Sequence, residues 1–82
     1  MDAGEVVIAV SERDAPYAAT AAAMLMMDWR GLAVDVRGSE VAIAGGRGAA
    51  WSASVWATAL LNERLVAEAA RRRAAILGEL VS

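Results

Sequence analysis

The sequence predicts a small α+β protein in which three short strands and two helices follow one another in the order βαββα. A β-branched run covers residues 5–10, an alternating hairpin pattern covers residues 32–44, and two alanine-rich segments of helical character cover residues 14–29 and 51–81. No repeat or linker divides the 82 residues. We therefore expect one domain, residues 1–82, with a thin core.

The first strand and first helix are predicted from local signals. An unbroken apolar run follows Glu5 and suits a strand at residues 5–10. Asp14 is a favoured N-cap residue, and Gly31 is a favoured residue just after a helix, so the helix is predicted over residues 14–29. Its last turns are apolar on several sides, and we expect Ala21, Met24 and Leu25 to face the sheet.

The hairpin is predicted from alternation around a glycine. Apolar residues at every second position place Leu32, Val34 and Val36 on one face of a strand at residues 32–37. Residues 40–44 form the second strand of the hairpin, with Val41 and Ile43 inward. A right-handed crossover would make the first two strands parallel. The expected fold is therefore a three-stranded mixed sheet with two helices on one face.

The segment at residues 51–81 predicts one long helix with an apolar stripe that faces the core. The stripe contains Trp51, Val55, Ala59, Leu65, Val66, Ala69, Ile76, Leu77 and Leu80. Trp56, Leu60 and Leu61 lie away from the stripe, and so small a domain is not expected to bury every large apolar residue. Because Met and Trp are enriched at interfaces, we assign Trp56, Leu60, Leu61 and Met27 to a protein interface, with burial as the alternative.

The inventory of reactive side chains argues against an enzyme. The chain has no histidine and no cysteine, and its carboxylates show no metal-ligand spacing, so we predict no metal and no cofactor. Nucleophilic catalysis would need a serine or threonine beside a base, and histidine, the usual base, is absent.

Two segments are candidates for binding an anion. Gly46, Arg47 and Gly48 precede the long helix, whose free amides favour negative charge, but the segment lacks the lysine and hydroxyl residue of a phosphate-binding loop. A structural turn is the favoured interpretation. Arg71, Arg72 and Arg73 would suit nucleic-acid contact, whereas the net charge of −2 and neighbouring glutamates favour a solvated helix face.

We therefore predict a non-enzymatic protein-binding module that acts as an inhibitor or regulator, through a homodimer or higher oligomer built on the long helix. Compact chains without catalytic chemistry include phage and mobile-element inhibitors such as anti-CRISPR proteins. A small nucleic-acid-binding regulator using residues 71–73 is the alternative. The start of the chain lacks a basic leader, and the uncharged run at residues 15–27 is too short to span a membrane, so we expect a cytoplasmic protein.

Overall fold

The computed structural model describes residues 4–81, and for Val81 only the backbone. The predicted element order βαββα is confirmed. The expectation about a leader rests partly on residues 1–3, which lie outside the described residues. The elements are β1 (Val6–Ala9), α1 (Ala15–Asp28), β2 (Ala33–Arg37), β3 (Glu40–Ala44) and α2 (Ala49–Val81).

The sheet is antiparallel throughout, and β3 is its central strand. The predicted mixed sheet is therefore wrong. β1 and β2 do run in the same direction, since both are antiparallel to β3, but β3 separates them. Its side chains explain the position: Val41 and Ile43 are fully buried on the core face, and Ala42 is buried on the other face. A strand covered on both faces is best placed where both of its edges are paired.

The hairpin follows the predicted alternation. Val34 pairs with Ile43 and Val36 with Val41, so all four side chains share the core face. Gly38 has φ of +58° at the first central position of the two-residue turn, a conformation that glycine adopts without strain. The amide of Val10, just beyond β1, donates to the Ser39 carbonyl at 2.7 Å, which ties the first strand to this turn.

The core lies between the sheet and the two helices. From α1 the buried residues are small except for Leu25, which lets this helix approach closely, and they are Ala18, Ala21, Ala22 and Leu25. From α2 they are Ser52, Trp56, Ala59 and Leu60. Met24, which we expected on the sheet, is exposed because it lies to one side of the buried face of α1.

The second half of α2 projects beyond the rest of the molecule. A helix of 33 residues is about 50 Å long at about 1.5 Å per residue, whereas a five-residue strand spans only about 17 Å. The molecule accordingly measures 61 × 24 × 17 Å. The prediction that the apolar stripe faces the core along the whole helix is wrong, because the sheet ends long before the helix does.

Candidate functional site

Trp56 and Leu60 are buried, which corrects their assignment to a partner surface. Only 3% of Trp56 and 8% of Leu60 is exposed, and both belong to the core cluster with Val41 and Ile43. The chain has no phenylalanine, and the sheet contributes mostly valine and alanine. The indole of Trp56 therefore supplies the bulk that fills the space between sheet and helices. Sequence periodicity missed this because the first half of α2 is apolar nearly all round.

Leu61 and Met27 are on the surface, as expected of interface residues. Leu61 is 51% exposed on α2, and Met27 is 75% exposed on α1. They lie on different helices, so they do not by themselves define one surface with Trp56 and Leu60. Their contact with a partner stays a prediction.

Five exposed aliphatic side chains lie on the second half of α2. We define the α2 stripe as Leu65, Val66, Ile76, Leu77 and Leu80, each of which is at least 53% exposed. At about 100° per residue, its centre lies roughly 140° around the helix from the side that carries Trp56 and Leu60. The stripe therefore continues the side of α2 that carries Val55 and Ala59, past the point where the domain covers it.

Arg71, Arg72 and Arg73 are all exposed on the projecting half of α2. Within the described part of the chain, none of the three takes part in an ion pair. Arg71 also lines a cavity between α1 and α2.

That cavity has a volume of about 240 Å³ and lies where the start of α1 meets the middle of α2. It is lined by Arg13, Tyr17, Arg64, Glu68 and Arg71. The Arg64 Nη1 atom is 4.0 Å from Oδ1 of Asp14, and that oxygen is buried without a hydrogen-bond partner in residues 4–81. Sequence reasoning missed this group because Arg13 and Arg64 are far apart in the chain, and only the packing of α1 on α2 brings them together.

The glycine segment before α2 is explained by packing. A Cβ atom on Gly46 would lie 2.7 Å from Cζ3 of Trp51, and one on Gly45 would lie 2.5 Å from the Gly31 carbonyl oxygen. Gly48 has φ of +95°, where other residues are strained. These contacts support the structural turn. An anion contact at Gly46, Arg47 and Gly48 stays a prediction without further support.

The open face of the sheet carries one charged network. Arg37 donates from Nε to Oδ2 of Asp35 at 2.7 Å, and its Nη2 lies 3.6 Å from Oε2 of Glu5. Since Asp35 is on β2 and Glu5 precedes β1, the guanidinium lies over β3, where Ala42 is buried. The hydrogen bond to Asp35, and then the charge of Glu5, raise the pKa of Arg37 above its ordinary value. The network is exposed and contributes little to stability.

Among residues 4–81, no group of three or more acidic side chains is placed to hold a metal ion. None of the described helices combines the length and apolar character that a membrane span requires. Comparisons of the chain with protein-family models, with curated proteins and with solved structures give no match.

Proposed function

We propose that the protein is a non-enzymatic protein-binding module that acts as an inhibitor or regulator, and that it works as an oligomer through the projecting half of α2. The observation that supports this most is the α2 stripe. It places five large aliphatic side chains on one side of a helix that no other part of the described chain covers. Exposed apolar surface of this kind is typical of protein-interaction sites.

The size of the stripe indicates how strongly it can bind. Full burial of a large aliphatic side chain contributes roughly 1.5 to 3 kcal/mol, and each residue of the stripe is more than half exposed. Covering all five would contribute roughly 4 to 9 kcal/mol. Association costs an estimated 4 to 15 kcal/mol, so we expect weak, concentration-dependent binding unless further residues join the contact.

A second copy of the chain is the partner that the charges favour. In a parallel pair of α2 helices, each residue would lie beside its own copy, and the arginines at residues 71–73 would repel one another. In an antiparallel pair centred near residue 70, Leu65 lies opposite Ile76 and Leu61 opposite Leu80. The same register sets Glu68 level with Arg73 of the other copy, and Arg72 lies one residue away on the flank that Glu68 occupies. Such a pair is self-complementary and closes on a twofold axis.

The oligomer is tested by light scattering over micromolar concentrations. We expect the wild-type chain to shift from monomer to dimer, and Ile76→Glu to remain monomeric because a carboxylate would be buried in the contact. Ala74→Glu is the matched control, since it adds the same charge on the opposite side of the same helix turn. A monomer at every concentration, or equal effects of the two substitutions, would contradict pairing through this face.

We also propose that the chain inhibits or regulates another protein. This proposal rests on the small size of the chain and its lack of catalytic residue types, and a phage or mobile-element inhibitor of the anti-CRISPR kind fits both. Capture of one specific protein by the wild-type chain, lost with Leu80→Glu and kept with Ala74→Glu, would support it. Capture that does not depend on Leu80 would place the partner surface elsewhere, with Met27 as the next residue to test.

Nucleic-acid binding is the alternative, favoured by the exposure of Arg71, Arg72 and Arg73 without ion-pair partners in the described residues. Binding through phosphates weakens steeply as salt rises, because counterions are released. We expect any such affinity to show that dependence and to fall when the three arginines are replaced by glutamine. Absence of binding to duplex and single-stranded oligonucleotides at low salt would remove this alternative.

A further inference from the structure

We propose that the cavity between α1 and α2 binds a small phosphate monoester through Arg13, Arg64 and Arg71. Arg13 precedes α1, Arg64 and Arg71 lie roughly two turns apart on α2, and all three line one space of about 240 Å³. This volume is just below the roughly 300 to 1,000 Å³ of pockets for drug-sized ligands, which suits a small anion or the head of a small molecule.

The charged side chains of the lining favour an anion over a cation or a neutral ligand. Three arginines and Glu68 give the lining a net charge of +2, from three positive groups and one negative group. Asp14 adds one negative charge at the edge, 4.0 Å from Arg64. Counted with Asp14 the net charge is +1, which favours an anion, and a phosphate monoester carries about −1.5 to −2 near neutral pH.

The donors that would hold the phosphate are unoccupied within residues 4–81. Arg13 and Arg71 form no ion pair there, and the 4.0 Å contact of Arg64 with Asp14 is too long for a hydrogen bond. The hydroxyl of Tyr17, which also lines the cavity, has no hydrogen-bond partner in this range. Planar guanidinium groups match the oxygens of phosphate in pairs, and the phenol adds one neutral donor.

The helix dipole contributes little to this site. The amides of Asp14, Ala15 and Tyr17 already donate to carbonyl oxygens, and Pro16 has no N–H group. Recognition therefore depends on side chains, and single substitutions can test it.

The experiment is calorimetric titration of the full chain with methyl phosphate at low ionic strength, repeated with inorganic phosphate and with sulfate. We expect methyl phosphate to bind near pH 7.5 and to bind less tightly near pH 5, because its second pKa is about 6. Sulfate keeps its charge over this range and should show no such change. Arg13→Ala and Arg71→Ala should each weaken binding roughly tenfold, and Tyr17→Phe roughly threefold.

Arg30→Ala is the matched control, since Arg30 is exposed beyond the other end of α1, and it should leave the affinity unchanged. Circular dichroism of each variant checks the fold, and replacement of exposed Arg13 or Arg71 should not disturb it. Three results would overturn the proposal: absence of binding to methyl phosphate at low salt, loss of binding with Arg47→Ala while the cavity variants still bind, or binding of oligonucleotides alone.

Discussion

Trp56 shows how the surroundings of one residue decide between core and interface. Tryptophan is common in both places, and its spacing from Trp51 and Val55 does not distinguish them. The indole is buried because the sheet that faces α2 carries only small and medium side chains. Replacement of Trp56 therefore tests the core and not a partner surface.

We predict that Trp56→Ala lowers the free energy of unfolding by about 3 to 5 kcal/mol, since it removes a buried ring and leaves a cavity. Urea denaturation followed by circular dichroism measures the loss. Trp29→Ala is the control at a tryptophan that is 40% exposed, and it should cost much less. Equal losses at the two positions would contradict the burial of Trp56.

Gly46 must be a glycine because a side chain there would collide with the ring of Trp51, and its backbone conformation does not require glycine. We predict that Gly46→Ala lowers the free energy of unfolding by about 1 to 3 kcal/mol, because the added methyl group would overlap the ring of Trp51. Gly78→Ala is the control, because no atom lies within 4 Å of the added methyl group. This change should stabilise the helical conformation of the second half of α2 by roughly 0.5 to 1 kcal/mol, and circular dichroism should show more helix. A neutral Gly46→Ala would contradict this close contact.

At the scale of elements, α2 divides into two parts with different surroundings. Its first three turns pack on α1 and the sheet, and every residue from Arg71 to Leu80 is exposed. The sequence predicted the helix correctly, because periodicity depends only on neighbouring residues. It did not predict which part of the helix would be covered, because that depends on the length of the other elements.

The order of the strands is a second feature that local patterns could not determine. The hairpin fixes the pairing of β2 with β3, and α1 fixes the direction of β2 relative to β1. Neither decides whether β1 pairs with β2 or with β3. In the sequence, the only hint that β3 is central was an alanine, Ala42, at an outward-facing position. Alanine is too common in strands for this to indicate a central strand. The arginine cavity was unpredictable for a related reason, since it needs the antiparallel packing of α1 on α2.

The antiparallel helix pair can be tested through its charges. We predict that Arg72→Glu weakens dimerisation roughly three- to tenfold, because it places a new carboxylate one residue from level with Glu68 of the partner subunit. Glu68→Arg alone should have a similar effect, and the double substitution should restore most of the affinity. Analytical ultracentrifugation measures the dissociation constants. Additive losses in the double variant would contradict this register.

At the scale of the whole molecule, the domain and the projecting helix form separable parts. The buried residues of α2 end at Leu60, and its half-buried residues end at Ala69. We predict that a chain ending at residue 70 keeps a cooperative urea transition within about 0.5 kcal/mol of the full chain when both are monomeric at high dilution. It should fail to dimerise. Loss of the cooperative transition would show that the projecting helix supports the core.

Because only the first half of α2 is buried against the domain, the rate at which its backbone hydrogen bonds open should differ along the helix. Amides near Trp56 and Leu60 can exchange with solvent only when the domain unfolds, whereas a helix end without tertiary contacts frays readily. In the monomer, hydrogen exchange should therefore accelerate by orders of magnitude along one continuous helix, from Leu60 towards residue 81. A partner on the α2 stripe would slow exchange in its second half while leaving the first half unchanged, so the exchange profile reports directly where α2 is covered.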